Sequence, residues 1–276
     1  MTPKVSVIIP CYNQGDFLVD SLQSVRDADA TLLEVIIVND GSTDERTNQY
    51  CLQLQSEGYH VIFQENKGLS AARNTAIAHA KGEYILPLDA DNKIRPAYIT
   101  KGIEVLDKHP NTGVVYGNTA FFGEREGIWK PGPFNLQRIM ISNTMDACAM
   151  IRRSVLDKVG VYDTAMRGGW EDWEMWLRIA FAGYDFYYVD EVLFDYRVTG
   201  TSMSNNLLNN YERRNSLENY VNEKHSSRMG HSWMADHYVK RFKKNPLLFA
   251  GKLFLRAYFP GWYNKLLKKN KIVNGL

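Results

Sequence analysis

The sequence is poor in cysteine, in long apolar runs and, over residues 237–276, in acid. Its three cysteines, Cys11, Cys51 and Cys148, are odd in number, far apart and without metal-ligand spacing. That excludes a disulfide framework and a zinc ribbon and fits free thiols in a reducing compartment. No apolar run reaches the roughly 18 residues that a membrane-crossing helix needs. The opening Met1-Thr2-Pro3-Lys4 leads directly into Val5-Ser6-Val7-Ile8-Ile9-Pro10, without the charged, apolar and small-residue order of a signal peptide. We therefore expect a cytoplasmic chain. With 20 glycines and 9 prolines in 276 residues, collagenous and low-complexity classes are also excluded. At 45% hydrophobic and 23% charged residues, the composition is that of a globular protein long enough to bury a sizeable core.

The net charge of +2 conceals an asymmetry. Residues 237–276 carry ten lysines and arginines and no acid, whereas residues 1–236 carry 23 bases against 31 acids. An acidic body with a basic, aromatic-rich tail points to a partner rather than to a folding requirement.

Strand and helix patterns alternate through the first half. Residues 5–10 form a β-branched run, and Phe17, Leu18, Leu22 and Val25 then follow helical spacing. Strands are expected at 33–38, 60–64 and 83–88, with helices at 43–56 and 69–80 between them. Ser42 or Thr43 is expected to cap the helix at 43–56, with Asp44 and Glu45 in its first turn, and Gly82 stands where the helix at 69–80 should stop. Nearly all-apolar strands alternating with helices predict an α/β fold, a mainly parallel sheet flanked by helices. In such sheets the ligand site lies past the carboxyl ends of the strands. That selects Cys11-Tyr12-Asn13, Asn39-Asp40-Gly41 and Asp89-Ala90-Asp91.

The second half is less regular. A helix is expected at 96–107, strands at 112–118, 145–152 and 186–197, and a loop or hairpin at 121–133. Short helical stretches are expected at 154–159 and 170–182. Strands stop near residue 204, which divides the chain into a domain at 1–204 and a helical, basic C-terminal extension at 205–276.

Several polar residues can carry chemistry. Asp89 and Asp91, two residues apart past a strand, can meet one hard cation and leave its other positions to phosphate and water; they can equally bound a solvated turn. Asp40 can accept from a nucleobase N–H or a ribose hydroxyl, or it can belong to an ordinary Asp-Gly turn. Arg73, near a helix start, suits an anionic ligand or a plain amphipathic surface. Glu171 and Asp172 open a helix beside Trp170. A carboxylate there serves as a general base if it faces a cleft, or simply complements the helix dipole.

Taken in chain order, these segments resemble a known family. Val5-Ser6-Val7-Ile8-Ile9-Pro10-Cys11-Tyr12-Asn13 is followed by Val38-Asn39-Asp40-Gly41-Ser42-Thr43-Asp44 and by Asn66-Lys67-Gly68-Leu69-Ser70-Ala71-Ala72-Arg73-Asn74. Leu88-Asp89-Ala90-Asp91 and the Glu171-Asp172 segment complete the set. The chain resembles an inverting family 2 glycosyltransferase with the GT-A fold. The resemblance implies a donor site for a nucleoside diphosphate sugar, uridine being favoured, built from Pro10, Tyr12, Asn13, Asp40, Lys67, Arg73, Asp89 and Ala90. It implies Mg²⁺ or Mn²⁺ on Asp91, Asp172 as the base that deprotonates an acceptor hydroxyl, and Trp170 and Glu171 beside the acceptor. Polysaccharide or lipid-linked glycan assembly would be the setting. Apart from the resemblance, the cations and aromatics of residues 237–276 fit an anionic membrane surface as partner, or a helical appendage that packs its apolar face on the catalytic domain and leaves its lysines solvated. Relatives carry a Tyr-Arg-x-His run; here Tyr196-Arg197-Val198-Thr199 puts a threonine in the histidine position.

Two other enzyme classes fit less well. A nucleotidyltransferase would show a Gly-rich basic loop after the first strand, and a dinucleotide oxidoreductase would show Gly-x-Gly-x-x-Gly there. The sequence has Cys11-Tyr12-Asn13-Gln14-Gly15. A non-catalytic sugar-nucleotide-binding module is the third alternative, disfavoured by the acids at 89, 91 and 172. Nucleic-acid binding is disfavoured because the acidic body offers no basic groove.

Overall fold

A computed structural model describes residues 2–28, 30–200, 207, 210–229, 239, 242–259 and 262. The chain divides into two compact units, Met1–Thr199 and Gly200–Leu276.

The first unit opens with strand β1 (Val5–Cys11), helix α1 (Gly15–Arg26), β2 (Leu33–Asp40), α2 (Glu45–Ser56), β3 (His60–Gln64), α3 (Leu69–His79) and β4 (Tyr84–Pro87). It continues with β5 (Lys93–Ile94), α4 (Pro96–Lys108), β6 (Thr112–Gly123), β7 (Gly127–Trp129), α5 (Leu136–Ile139), β8 (Met150–Arg152), α6 (Arg153–Val159), α7 (Glu171–Phe181) and β9 (Asp185–Val198). The strands form one sheet in the order β3-β2-β1-β4-β8-β6-β9-β5, with β7 paired to β6. β3, β2, β1 and β4 are parallel, β8 runs antiparallel to β4 and β6, and β9 is parallel to β6. The mainly parallel sheet expected from the strand–helix alternation is therefore present, with antiparallel members entering after β4.

Every residue of β1 is buried, as a central strand covered on both faces requires, and this explains an apolar run interrupted only by Ser6, whose hydroxyl donates to Glu34 Oε1 at 2.5 Å. Pro10 is tolerated there because the pairing of β1 with β4 ends at Ile8↔Pro87, so its missing N–H forfeits no bond on that side. The register pairs Cys11 with Asn39 and Asp40 with Gln64, which brings the ends of β1, β2 and β3 to one edge. Val7, Ile9, Ile37, Leu86, Leu88, Tyr98, Val115 and Met150 belong to a core beneath that edge.

Three local expectations are corrected. Asp44, not Ser42 or Thr43, caps α2: its Oδ2 accepts from Thr47 N at 3.0 Å and from Thr47 Oγ1 at 2.7 Å. Gly82 does not end α3, which stops at His79; a Cβ on Gly82 would lie 2.5 Å from Ser6 N, so glycine permits close approach to β1. The strand expected at 145–152 is confined to Met150–Arg152, because Asp146 Oδ1 accepts from Cys148 N at 2.9 Å and turns the chain first.

In the second unit the helices Tyr211–Lys224, Ser226–Met229 and Pro246–Tyr258 are described. Asn210 and Asn245 cap the first and the last, each accepting from the backbone N–H three residues on. Among the described residues no helix is long and apolar enough to cross a membrane.

Candidate active site

At the strand edge, Asn13 takes a left-handed backbone with φ 55°, which asparagine tolerates better than most residues. Its Oδ1 accepts from Thr43 N at 2.8 Å and Asp44 N at 2.9 Å, and its Nδ2 donates to Thr43 Oγ1 at 3.0 Å. These bonds pin the loop after β2 against the end of β1. Tyr12 beside it is exposed, while Pro10 and Ala90 are buried; Ala90 has no polar side chain and offers a ligand only its backbone.

Asp40 is buried and holds the turn into α3. Its Oδ1 accepts from Gln64 Nε2 at 2.6 Å and Lys67 N at 3.0 Å, and its Oδ2 accepts from Gly68 N at 2.8 Å. A carboxylate has about four acceptor positions, so one is left for a donor group from outside. The Lys67 side chain is exposed.

Arg73 of α3 is buried and lies between two carboxylates. Its Nη2 donates to Asp89 Oδ1 at 2.6 Å and its Nη1 to Glu171 Oε1 at 2.5 Å, with its guanidinium over the Tyr162 ring at 5.2 Å. Burial opposes its charge, but Asp89 and Glu171 more than offset that and hold it protonated. Arg73 thus ties the loop after β4 to the start of α7. Sequence reading allowed a surface arginine here; the side chain is instead internal. Its Nε has no hydrogen-bond partner among the described residues.

The Asp89–Asp91 loop is also held from β9. Arg197 Nε donates to Asp91 O at 3.0 Å, Arg197 N donates to Asn92 Oδ1 at 2.9 Å, and Arg197 Nη2 pairs with Asp20 at 2.5 Å. Burial, and then Asp89, push the Asp91 carboxyl up to about 6. Asp91 and Asp89 form a hard-oxygen donor set that a divalent cation would favour in its ionised form. Among the described residues no cluster of three acids, histidines or cysteines is close enough to enclose a metal. A cation held by the pair would have to draw its other ligands from phosphate and water.

Helix α7 begins after three left-handed residues, Gly168 (φ 93°), Gly169 (φ 128°) and Trp170 (φ 63°). A tryptophan in this region is strained, a condition concentrated at functional sites. The Trp170 ring meets that of Trp173 edge-on at 5.6 Å. Glu171 and Asp172, the first two residues of α7, are both buried. Glu171 is committed to Arg73. Asp172 Oδ2 accepts from Asn143 Nδ2 at 2.7 Å, and its Oδ1 accepts from Trp173 N at 2.8 Å. Burial first, then the neighbouring Glu171 and Asp146, push the Asp172 carboxyl up to about 8; Asn143 and Arg73 pull the other way. A carboxyl raised in this way is suited to proton transfer near neutral pH.

Asn143 and Asp146 were missed by sequence reading. Burial, opposed by the Cys148 N–H, and then the charge of Asp89 push Asp146 up to about 7. Asp146 interacts with Asp89, Asp91 and Asp172, so it joins the acids after β4 to the acid of α7. The signal available was an aspartate inside the apolar run Met145-Asp146-Ala147-Cys148-Ala149-Met150, where a buried strand has no use for one.

Comparison with known proteins decides the family. The family model "Glycosyl transferase family 2" matches residues 6–160. This chain belongs to glycosyltransferase family 2. The TuaG glycosyltransferase of Bacillus subtilis (strain 168), assigned by name to teichuronic acid biosynthesis, is 31% identical over 212 residues, 74% of this chain and 82% of TuaG. S. aureus TarS residues 1–349, solved with UDP-GlcNAc, superpose with a TM-score of 0.61 at 19% identity, covering 81% of this glycosyltransferase and 73% of that chain. The Pyrobaculum calidifontis mannosyltransferase PcManGT, solved with GDP-Man and Mn²⁺, gives 0.64 at 20% identity over 99% and 81% of the two chains. The glycosyltransferase fold is therefore GT-A, as its motifs led us to expect.

Proposed function

We propose that this glycosyltransferase moves a sugar from a nucleoside diphosphate sugar to an acceptor hydroxyl with inversion, in the assembly of a polysaccharide or lipid-linked glycan. The chemistry is assigned to residues 1–204. The observation that carries the reading is Asp172, a buried carboxyl oriented by Asn143 and raised by Glu171 and Asp146. Asp172 would take the acceptor proton as the acceptor oxygen bonds to the sugar's anomeric carbon, and the bond to the diphosphate oxygen breaks with its electron pair leaving on phosphate. One displacement from the side opposite the leaving group inverts the centre, with no covalent enzyme intermediate. Glu171 and Trp170 border the acceptor side, and Asp89 borders the donor sugar.

Pro10, Tyr12, Asn13 and Asp40 frame the base and ribose, with the remaining acceptor position of Asp40 turned to a nucleobase N–H. Uridine is the preferred base from the family resemblance around Asp40; the solved relatives named above carry UDP-GlcNAc in one case and GDP-Man in the other. Lys67 and the start of α3 lie along the diphosphate. A divalent cation, when held by Asp91 with Asp89, offsets the charge that develops on the leaving phosphate. The teichuronic acid assignment of TuaG supports a cell-envelope glycan as product.

The test uses the full chain with UDP- and GDP-sugars, with and without Mn²⁺, reading thermal stabilisation and release of nucleoside diphosphate. Asp172→Asn should keep donor-induced stabilisation and lose about 100-fold or more in turnover. Asp91→Asn should lose the Mn²⁺-dependent part of donor binding. Full turnover in both variants would remove these assignments, and no stabilisation by any nucleotide sugar would remove the reading as a whole.

A further inference from the structure

Beyond the transfer chemistry, the second unit carries a surface of unusual composition. Asn245 caps the helix Pro246–Tyr258, its Oδ1 accepting from Leu248 N at 3.1 Å, with Pro246 at the first helical position. Leu247, Phe254 and Tyr258 stand at i, i+7 and i+11, one line along the helix with Gly251 between. They are 88%, 56% and 70% exposed, and Leu248 and Leu253 on the flanks are 54% and 48% exposed. The Phe254 and Tyr258 rings lie 4.9 Å apart and those of Phe254 and Phe259 5.9 Å, so the aromatic surface is continuous. A helix of a globular core turns its apolar line inward; here that line is exposed.

The charges complete the pattern. Lys252 falls by helical spacing on the sector away from Leu247 and Tyr258. Lys243 and Lys244 precede the helix and are exposed, and residues 237–276 hold ten cations with no acid. A protein partner would need a face both apolar and uniformly acidic. A bilayer with anionic headgroups presents those two layers by construction. The helix has 13 residues, about 20 Å at 1.5 Å per residue, so it is suited to lying in the interface and not to crossing it.

We propose that the helix Pro246–Tyr258 and the lysines just before it seat this glycosyltransferase on an anionic membrane surface, with the Leu247–Phe254–Tyr258 line at the acyl boundary and the cations among the headgroups. An acceptor anchored in the same leaflet would then be met in two dimensions.

Flotation of the full chain with phosphatidylcholine vesicles, and with vesicles containing about 30% phosphatidylglycerol, tests this. The chain should float with the anionic vesicles at about 0.1 M salt and be largely released at about 1 M. Leu247→Ser/Phe254→Ser/Tyr258→Ser should lower partitioning by at least ~10-fold. Lys243→Gln/Lys244→Gln should lower it about 30-fold, since each cation near an anionic leaflet contributes roughly five-fold. All these side chains are exposed, and circular dichroism and melting temperature report whether each variant folds. Equal flotation with both vesicle types, or unchanged flotation of the serine variant, would overturn the proposal. So would a parent that does not float but is dimeric and becomes monomeric on serine substitution, because a second copy would then cover the line.

Discussion

Two buried aspartates of the first unit are treated in opposite ways. Asp40 receives three protein donors, two of them backbone N–H groups, and is spent on the turn between β3 and α3. Asp172 receives one side-chain amide and its neighbour's N–H, and it faces Glu171 and Asp146. Hydrogen bonds favour the charged form of a carboxyl, whereas burial and like charges oppose it. The first aspartate is fixed by protein donors and keeps one acceptor position; the second is kept short of partners, which is what a proton acceptor needs.

The largest effect is expected at Arg73, which supplies the positive charge between Asp89 and Glu171, the neighbour of Asp172. Arg73→Met leaves Asp89 and Glu171 without their buried counter-ion, and we expect a loss of about 3–5 kcal/mol in denaturant unfolding. A loss below about 1 kcal/mol would mean that the carboxylates find other partners. Asp40→Asn places an amide against backbone donors and should cost about 1–3 kcal/mol in the same assay.

Asp172→Asn should do the reverse. Its folded carboxyl is raised to about 8, above the roughly 3.9 of an unfolded chain, so the folded state holds the proton more tightly. The stability that this contributes is full at low pH and is lost as pH rises through about 8. The asparagine variant has no such loss, so its melting temperature should exceed the parent's at pH 9, with a smaller gap at pH 5. A gap that does not change with pH would remove the raised carboxyl. Asn143→Ala gives the smallest effect. Without that donor to the charged form, the rising limb of the kcat/KM profile should move up by roughly one pH unit. A structural role for Asn143 alone would lower the rate equally at every pH.

Much of this arrangement was readable in the sequence because local and global signals agreed. The largely apolar strands β1 and β2, separated by an amphipathic helix, leave little choice of sheet. Asp40, Asp89 and Asp172 were found by being acids directly after a strand or at a helix start. What could not be read depended on contacts distant in sequence. Arg73 meets Glu171 across 98 positions, and no pattern around Arg73 distinguishes an internal guanidinium from a surface one. Asn143 lay outside any expected element. Asp146 was absorbed into a strand because its neighbours are apolar, although its own side chain is what stops that strand. The two-residue β5 is too short to carry a period at all.

The left-handed run Gly168-Gly169-Trp170 has a consequence for how such a molecule can diversify. Two of its positions accept essentially glycine alone, and the third already carries a strained ring. Because the run sets where α7 starts, an insertion there would rotate Asp172 away from Asn143. Descendants of this chain are therefore free to vary elsewhere, above all at the tip of the β6–β7 hairpin, where Glu124 and Glu126 are exposed. Lineages that explore new acceptors should accumulate length changes in that hairpin while the three residues before α7 stay fixed in number.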